Sequence, residues 1–153
     1  MTMAGQLRLA LGSDHAGFEQ KSAAAAWLGQ LGYGVLDMGP LNAERVDYPD
    51  FAAAVARQVQ GGQADLGILF CGTGIGMAIA ANKLSGIRAA NCLQVELARL
   101  AREHNEANVL TLSARFSTLE QNKAIIQAFL ESEPAGGRHA IRVKKISELE
   151  REC

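Results

Sequence analysis

Cys71 has the strongest chemical context in the chain. It closes the apolar run 66–70 and opens Gly72-Thr73-Gly74-Ile75-Gly76, which leads into a helical segment. A helix N-terminus offers unpaired N–H groups and the positive end of the helix dipole, and both favour a thiolate over a thiol. The same N–H groups can hold a developing oxyanion. Gly72, Gly74 and Gly76 keep the backbone open to a ligand and allow positive φ, and Thr73 adds a hydroxyl. A lone cysteine at a strand end is usually only a small hydrophobe; the loop after it argues for a reactive one. Cys92 and Cys153 have no such loop, and for them the hydrophobe reading stands.

Other segments carry polar chemistry. Asp14-His15 lies in the turn Gly12-Ser13-Asp14-His15-Ala16-Gly17. A carboxylate beside an imidazole can move hydroxyl protons or meet a phosphate, although an Asp there equally reads as a helix cap. His104 follows the stripe Leu93, Leu97, Leu100 and Ala101, and Asn105 ends that helix; a histidine so placed commonly satisfies the last helical carbonyls. Arg115, Arg138 and Arg142 are candidate phosphate clamps, because a guanidinium meets phosphate in a bidentate fork. Arg138 and Arg142 share a helix face, the alternative being a solvated charged face.

Several functions are excluded. The glycine run is not G-x-G-x-x-G, and Asn91-Cys92-Leu93 stands where an acidic ribose ligand belongs. A P-loop needs Gly-Lys-Ser/Thr, which the chain lacks. No His/Asp/Glu group has metal-ligand spacing, so neither a metal nor an organic cofactor is expected. The net charge of −1 exerts no pull toward nucleic acid or an anionic membrane. No apolar run approaches the roughly 20 residues that span a bilayer, and the N-terminus lacks the order of a signal peptide. Three cysteines without redox or metal spacing read as reduced thiols in the cytoplasm.

The elements that position these residues follow from the hydrophobic pattern. At 153 residues, with 48% hydrophobic and 20% charged, the chain reads as one globular domain, 1–153. Abundant alanine and glycine with only 5% aromatics favour close helix-on-sheet packing. Strands are expected at 7–11, 33–36, 66–70, 87–92 and 109–112. Helices are expected up to about 31, from Pro49 to about 61, from the glycine loop to about 84, over 93–104, from a capping box at Ser117 and Glu120 to about 133, and over 138–153. This alternation implies an α/β fold: a three-layer αβα sandwich on a five-stranded parallel, Rossmann-like sheet, with an additional C-terminal helix. Ligands of such sheets bind beyond the carboxyl ends of the strands. The turns at Asp14-His15, at 71–76 and at Ser113-Ala114-Arg115 all fall there.

Taken in order, the turn 12–17, Asp47-Tyr48-Pro49, Cys71 to Gly76, Ala80-Ala81-Asn82-Lys83, Gly86-Ile87-Arg88-Ala89, His104-Asn105 with Asn108-Val109-Leu110, and Gly136-Gly137-Arg138-His139 with Arg142 resemble type B ribose-5-phosphate isomerase and its galactose-6-phosphate isomerase relatives over nearly the whole chain. The resemblance implies a homodimer, sometimes paired into a tetramer, and metal-free isomerisation of an aldose phosphate through a cis-enediol(ate). It implies that Cys71 takes the proton from C2 and returns it to C1, and that Thr73 and the loop N–H groups steady the enediolate. Asp14 and His104 would manage hydroxyl protons, including ring opening. His15, Arg138 and Arg142 would hold the phosphate, with Arg115 as a further candidate, and Tyr48 and Asn105 would contact the sugar. A variant of the family uses a glutamate near the end of the glycine run; here that stretch holds Met77, which cannot take a proton. The segment Leu93-Gln94-Val95-Glu96 departs from the family pattern, where more polar residues and a tyrosine are expected.

Ribose, allose and galactose phosphates remain alternative substrates. A sugar-phosphate-binding regulator on the same scaffold is a second reading, though a binder needs no base. A cysteine redox enzyme is a third, and would want a resolving cysteine closer than Cys92. Topology adds one expectation. Helices between parallel strands run antiparallel to them, so His104 at a helix end and Cys71 at a strand end belong on opposite sheet edges. If the resemblance makes His104 catalytic, it must serve the Cys71 of a second copy across a two-fold interface.

Overall fold

The computed structural model describes residues 7–152. Residues 1–6, a motif-free extension in the sequence, and Cys153, expected to end the last helix, lie outside the described residues. The elements are β1 (Arg8–Ser13), α1 (Phe18–Gln30), β2 (Gly34–Asp37), α2 (Tyr48–Gln60), β3 (Leu66–Cys71), α3 (Ile75–Ala81), β4 (Ala89–Asn91), α4 (Val95–Asn105), β5 (Val109–Ser113), α5 (Leu119–Glu131) and α6 (Arg138–Leu149), with a closing 3₁₀ turn, Glu150–Glu152.

The strands form one parallel sheet in the order β2-β1-β3-β5-β4. β3 is buried along its whole length, as its unbroken apolar run requires of a strand covered on both faces. One face packs Leu9, Leu11, Ile68, Phe70, Leu110 and Leu112 against α1, α4 and α5 through Ala24, Leu28, Ala98, Ile125 and Phe129. The other packs Ala10, Leu69 and Val109 against α2 and α3 through Ala52, Val55, Ala56, Met77 and Ala81. Small side chains dominate the second face, so α2 can lie close: a Cβ at Gly67 would come 2.7 Å from Val55.

Three local expectations shift. The capping box at the start of α5 is Thr118 with Gln121: the Thr118 hydroxyl accepts from Gln121 N–H at 3.1 Å and the Gln121 amide oxygen accepts from Thr118 N–H at 2.8 Å. Ser117 is buried instead. α3 ends at Ala81, because Asn82 caps it and turns its side chain to Ala89, accepting from its N–H at 2.7 Å and donating to its carbonyl at 3.0 Å. β4 is correspondingly short.

The chain reverses its direction of travel across the sheet between β1 and β3. Their carboxyl ends lie side by side, with Ser13 paired to Phe70 and Asp14 N–H donating to the Phe70 carbonyl at 3.2 Å. This is the switch-point crevice where ligands of open α/β sheets bind. α6 packs on α4. Its approach is tied to α4 by Ala135 N–H, which donates to the Glu103 carbonyl at 2.9 Å, and its far end by Glu150, whose carboxylate accepts from Gly86 N–H at 2.7 Å.

One buried charge holds the edge of the crevice. Lys21 in α1 is 1% exposed, and its Nζ reaches both Asp37 carboxylate oxygens, at 2.9 and 3.0 Å, and the Pro40 carbonyl at 2.9 Å. It ties α1 to the turn that leaves β2. Lys21→Met keeps the stem and removes the ammonium, leaving a carbonyl and a carboxylate without their cation. Asp37 is 40% exposed and regains water, so urea unfolding should show a loss of about 1–2 kcal/mol.

Candidate active site

Cys71 is the last residue of β3, is 5% exposed, and pairs in register with Ser113 of β5. Immediately after it the chain turns back at Gly74, whose φ is +83°. The turn aims Gly74 N–H at Cys71 Sγ, 3.1 Å away, a donor that supports negative charge on the sulfur. Thr73 Oγ1 accepts from Ile75 N–H at 3.1 Å, a side-chain turn that starts α3. Among the described residues the N–H groups of Thr73 and Gly76 have no acceptor, so they remain for a ligand oxygen.

The three glycines are needed for two different reasons. Only Gly74 uses positive φ; a Cβ there would also meet Asn91 Oδ1 at 2.4 Å and the Leu112 backbone at 3.1 Å. At Gly76 a Cβ would meet the Tyr48 ring at 2.5 Å, and at Gly72 the Arg115 side chain at 3.2 Å. Gly72 and Gly76 therefore admit neighbouring side chains, which brings Tyr48 and Arg115 to the loop. Arg115 N–H further donates to the Gly72 carbonyl at 3.0 Å.

β5 holds the loop from beneath. Thr111 and Ser113 are both fully buried. The Thr111 hydroxyl donates to the Gly74 carbonyl at 2.8 Å and the Ser113 hydroxyl to the Gly72 carbonyl at 2.7 Å. Sequence reading missed both residues. The signal was present: hydroxyls at alternate positions on a strand that is otherwise apolar, all pointing to one face.

Asp14 lies beside the end of β3 and is buried; its Oδ1 accepts from Gly17 N–H at 3.0 Å. Asp14 is not the helix cap, since the N-cap of α1 is Gly17 without a side-chain cap; its bond closes the turn before the helix and uses one of two carboxylate oxygens. His15 is half-buried, and its Nδ1 accepts from Val46 N–H at 3.3 Å. With Nδ1 engaged as an acceptor, a neutral ring carries its proton on Nε2. Asp14, His15, Tyr48, Cys71, Thr73 and Arg115, with Gly72, Gly74 and Gly76, therefore gather at the carboxyl edge of the sheet.

The remaining site residues do not join them. His104 and Asn105 end α4, which runs back from β4 toward the start of β5. Glu106, at φ +48°, closes that helix through Glu106 N–H to Arg102 and Ala107 N–H to Ala101. The backbone thus supplies the cap for which His104 was a candidate. His104 stacks instead on His139 of α6, with ring centroids 4.0 Å apart and planes 6° from parallel. Arg138 and Arg142 sit on the same helix, exposed and unpaired with any carboxylate among the described residues. His104, Asn105, Arg138 and Arg142 thus form a second cluster at the amino-terminal edge. Cys92, the other described cysteine, is buried beneath α4, and burial pushes its thiol up to about 11. It is therefore a poor nucleophile.

The struts beneath the loop can be tested directly. Thr111→Val and Ser113→Ala each remove one hydrogen bond from a loop carbonyl that keeps a backbone donor, Ala78 N–H at Gly74 and Arg115 N–H at Gly72, which costs about 0.5–1.5 kcal/mol. Thermal unfolding should register that loss in both variants, and activity should fall further than stability alone explains.

The chain is similar to known proteins in sequence and fold. Residues 9–146 match the family model for ribose/galactose isomerases. The chain is 46% identical over 143 residues to ribose-5-phosphate isomerase B of Escherichia coli, covering 94% of this chain and 96% of the relative. It superposes on ribose-5-phosphate isomerase B of Clostridium thermocellum with a TM-score of 0.94 at 47% identity, covering 95% of this chain and 99% of that one. It also superposes on the Mycoplasma genitalium enzyme with bound ribulose-5-phosphate, with a TM-score of 0.91 at 42% identity, covering 95% and 97%. By the family model over residues 9–146 and by identity over nearly its whole length, the chain belongs to the ribose/galactose isomerase family.

Proposed function

We propose that this protein interconverts ribose 5-phosphate and ribulose 5-phosphate by proton transfer, with Cys71 as the base. The observation that carries this reading is the Gly74 N–H to Cys71 Sγ hydrogen bond at 3.1 Å, at the end of a rigid buried strand and beside Asp14. The thiolate removes the proton from C2 of the open-chain aldose. Charge then develops on the C1 oxygen, where the unpaired loop N–H groups and the Thr73 hydroxyl can meet it. The thiol returns the proton to C1 while Asp14 exchanges the hydroxyl protons. His15 presents Nε2–H to the substrate, and Tyr48 covers the sugar. Arg115 is a further candidate for the phosphate.

His104, Asn105, Arg138 and Arg142 complete the site only if a second copy supplies them. Support comes from the apolar surface next to both clusters. Ile75 and Ile79 on α3 are 55% and 58% exposed, and Leu97 on α4 and Ile141 on α6 are 48% and 62% exposed. Apolar exposure of this kind favours a homodimer with two composite sites. In each site His104 of one copy would open the furanose ring, and Arg138 and Arg142 would clamp the phosphate.

Cys71→Ser should lose roughly 10²–10⁴-fold in turnover, the usual value of a general base, while sugar-phosphate binding persists. Near-normal turnover in that variant would remove Cys71 from the mechanism. A panel of ribose, allose and galactose phosphates should give the highest kcat/KM with ribose 5-phosphate. Mixing inactive Cys71→Ser with inactive His104→Ala subunits should restore activity, since one site of each heterodimer is then intact. Verified subunit exchange without recovery would mean that His104 acts within its own chain or not at all.

A further inference from the structure

We propose that His139 is the positioning residue of His104, holding its ring flat for ring opening; the inference rests on the catalytic role assigned to His104. The geometry is specific. The two imidazoles lie 4.0 Å apart and within 6° of parallel. No hydrogen bond holds the His104 ring among the described residues, and the stack on His139 sets its plane. A general acid that must meet a ring oxygen in one direction needs such fixing, because small misplacements are costly in rate.

The backbone around His139 serves this contact. Gly136 and Gly137 both take positive φ, +72° and +57°, which turns the chain sharply into α6. His139 N–H donates to the Gly136 carbonyl at 3.1 Å, and Ala135 N–H ties the segment to Glu103, the neighbour of His104, at 2.9 Å. Val143, one turn after His139, is the buried residue of α6. His139 and Val143 therefore share the stripe facing α4, whereas Arg138 and Arg142 share an exposed one. This division separates ring positioning from phosphate binding on a single helix.

The charge state fits the role. Desolvation, then the His104 ring and the guanidiniums of Arg138 and Arg142, hold His139 below the usual histidine range. Near neutral pH it presents an uncharged flat face, which His104 can stack on in either protonation state.

The test compares His139→Ala, His139→Phe and His104→Ala in the full-length protein, each checked for native thermal unfolding. Removing the stack should lower kcat about tenfold with KM unchanged, and His139→Phe should recover most of it. The ring-current displacement of the His104 imidazole proton resonances should be present in the parent and the Phe variant and absent in the Ala variant. Unchanged kcat in His139→Ala, alongside a crippled His104→Ala, would overturn the positioning role and leave the role of His104 intact. A raised KM with unchanged kcat would overturn it too, reassigning His139 to the phosphate. Equal losses in the Ala and Phe variants would show that the ring nitrogens matter rather than the stack. Full turnover in His104→Ala would bring down the role of His104 and this inference with it.

Discussion

The hydrogen bond from Gly74 N–H to Cys71 Sγ exists because the chain can turn left-handed at one residue that has no room for a side chain. Gly74 sits against Asn91 Oδ1 and the Leu112 backbone at φ +83°. Any L side chain there would meet both the steric limit of the conformation and the neighbouring strand. The turn in turn depends on β5, whose Thr111 and Ser113 hydroxyls take the carbonyls of Gly74 and Gly72. Each hydroxyl adds a second hydrogen bond to a carbonyl that a backbone N–H already engages, worth about 1 kcal/mol, so two hydroxyls in an otherwise apolar strand stabilise the loop shape that aims an N–H at sulfur. Tyr48 and Arg115 reach the loop only because Gly76 and Gly72 leave space for them.

Parallel topology imposes the second constraint. Each helix of the sandwich returns the chain to the amino-terminal edge, so residues at strand ends and residues at helix ends cannot meet within one copy. Cys71, Asp14 and His15 are of the first kind, and His104 and Asn105 of the second. α6 adds Arg138 and Arg142 to the second group by packing on α4. The proposed site, drawn from both groups, needs a neighbour, and the cost of exposing Ile75, Ile79 and Ile141 on the single copy would be offset by a second copy that covers them.

The order of strands and α-helices was legible in the sequence because the strands are short β-rich runs and the helices are either alanine-rich, as α1 is, or amphipathic. β3 was legible as doubly covered from its unbroken apolar run. The boundaries were less so where a side chain, rather than periodicity, ends an element. Asn82 stops α3 by bonding to Ala89, seven residues on, which no local window reports. The start of α5 offered Ser117 with Glu120 and Thr118 with Gln121 as competing boxes, and burial of Ser117 decides between them. Lys21 gave no sign of burial, since its partners Asp37 and Pro40 come from another element. At the candidate site the polar residues that gather at the loop were legible as candidates, and their supports were not. Thr111 and Ser113 act across strands, and the need for Gly72 and Gly76 is set by Arg115 and Tyr48, which are distant in the chain.

The two halves of the proposed composite site also differ in how they are held, and the difference follows from what the proposed mechanism asks of each group. The base must abstract a carbon-bound proton, a transfer that tolerates little variation in distance. Its sulfur is fixed by a fully buried strand, a hydrogen bond and two struts. The arginines only need to meet a phosphate, a large anion that accepts hydrogen bonds from many directions, and they stand exposed on α6. His104 lies between these cases. It must address one oxygen, yet it sits at the last turn of a helix, where backbone restraint is weakest. Its restraint comes from the flat ring of His139 and from the glycine turn that delivers that ring, so the precision lost at a helix end is recovered by packing from the next element.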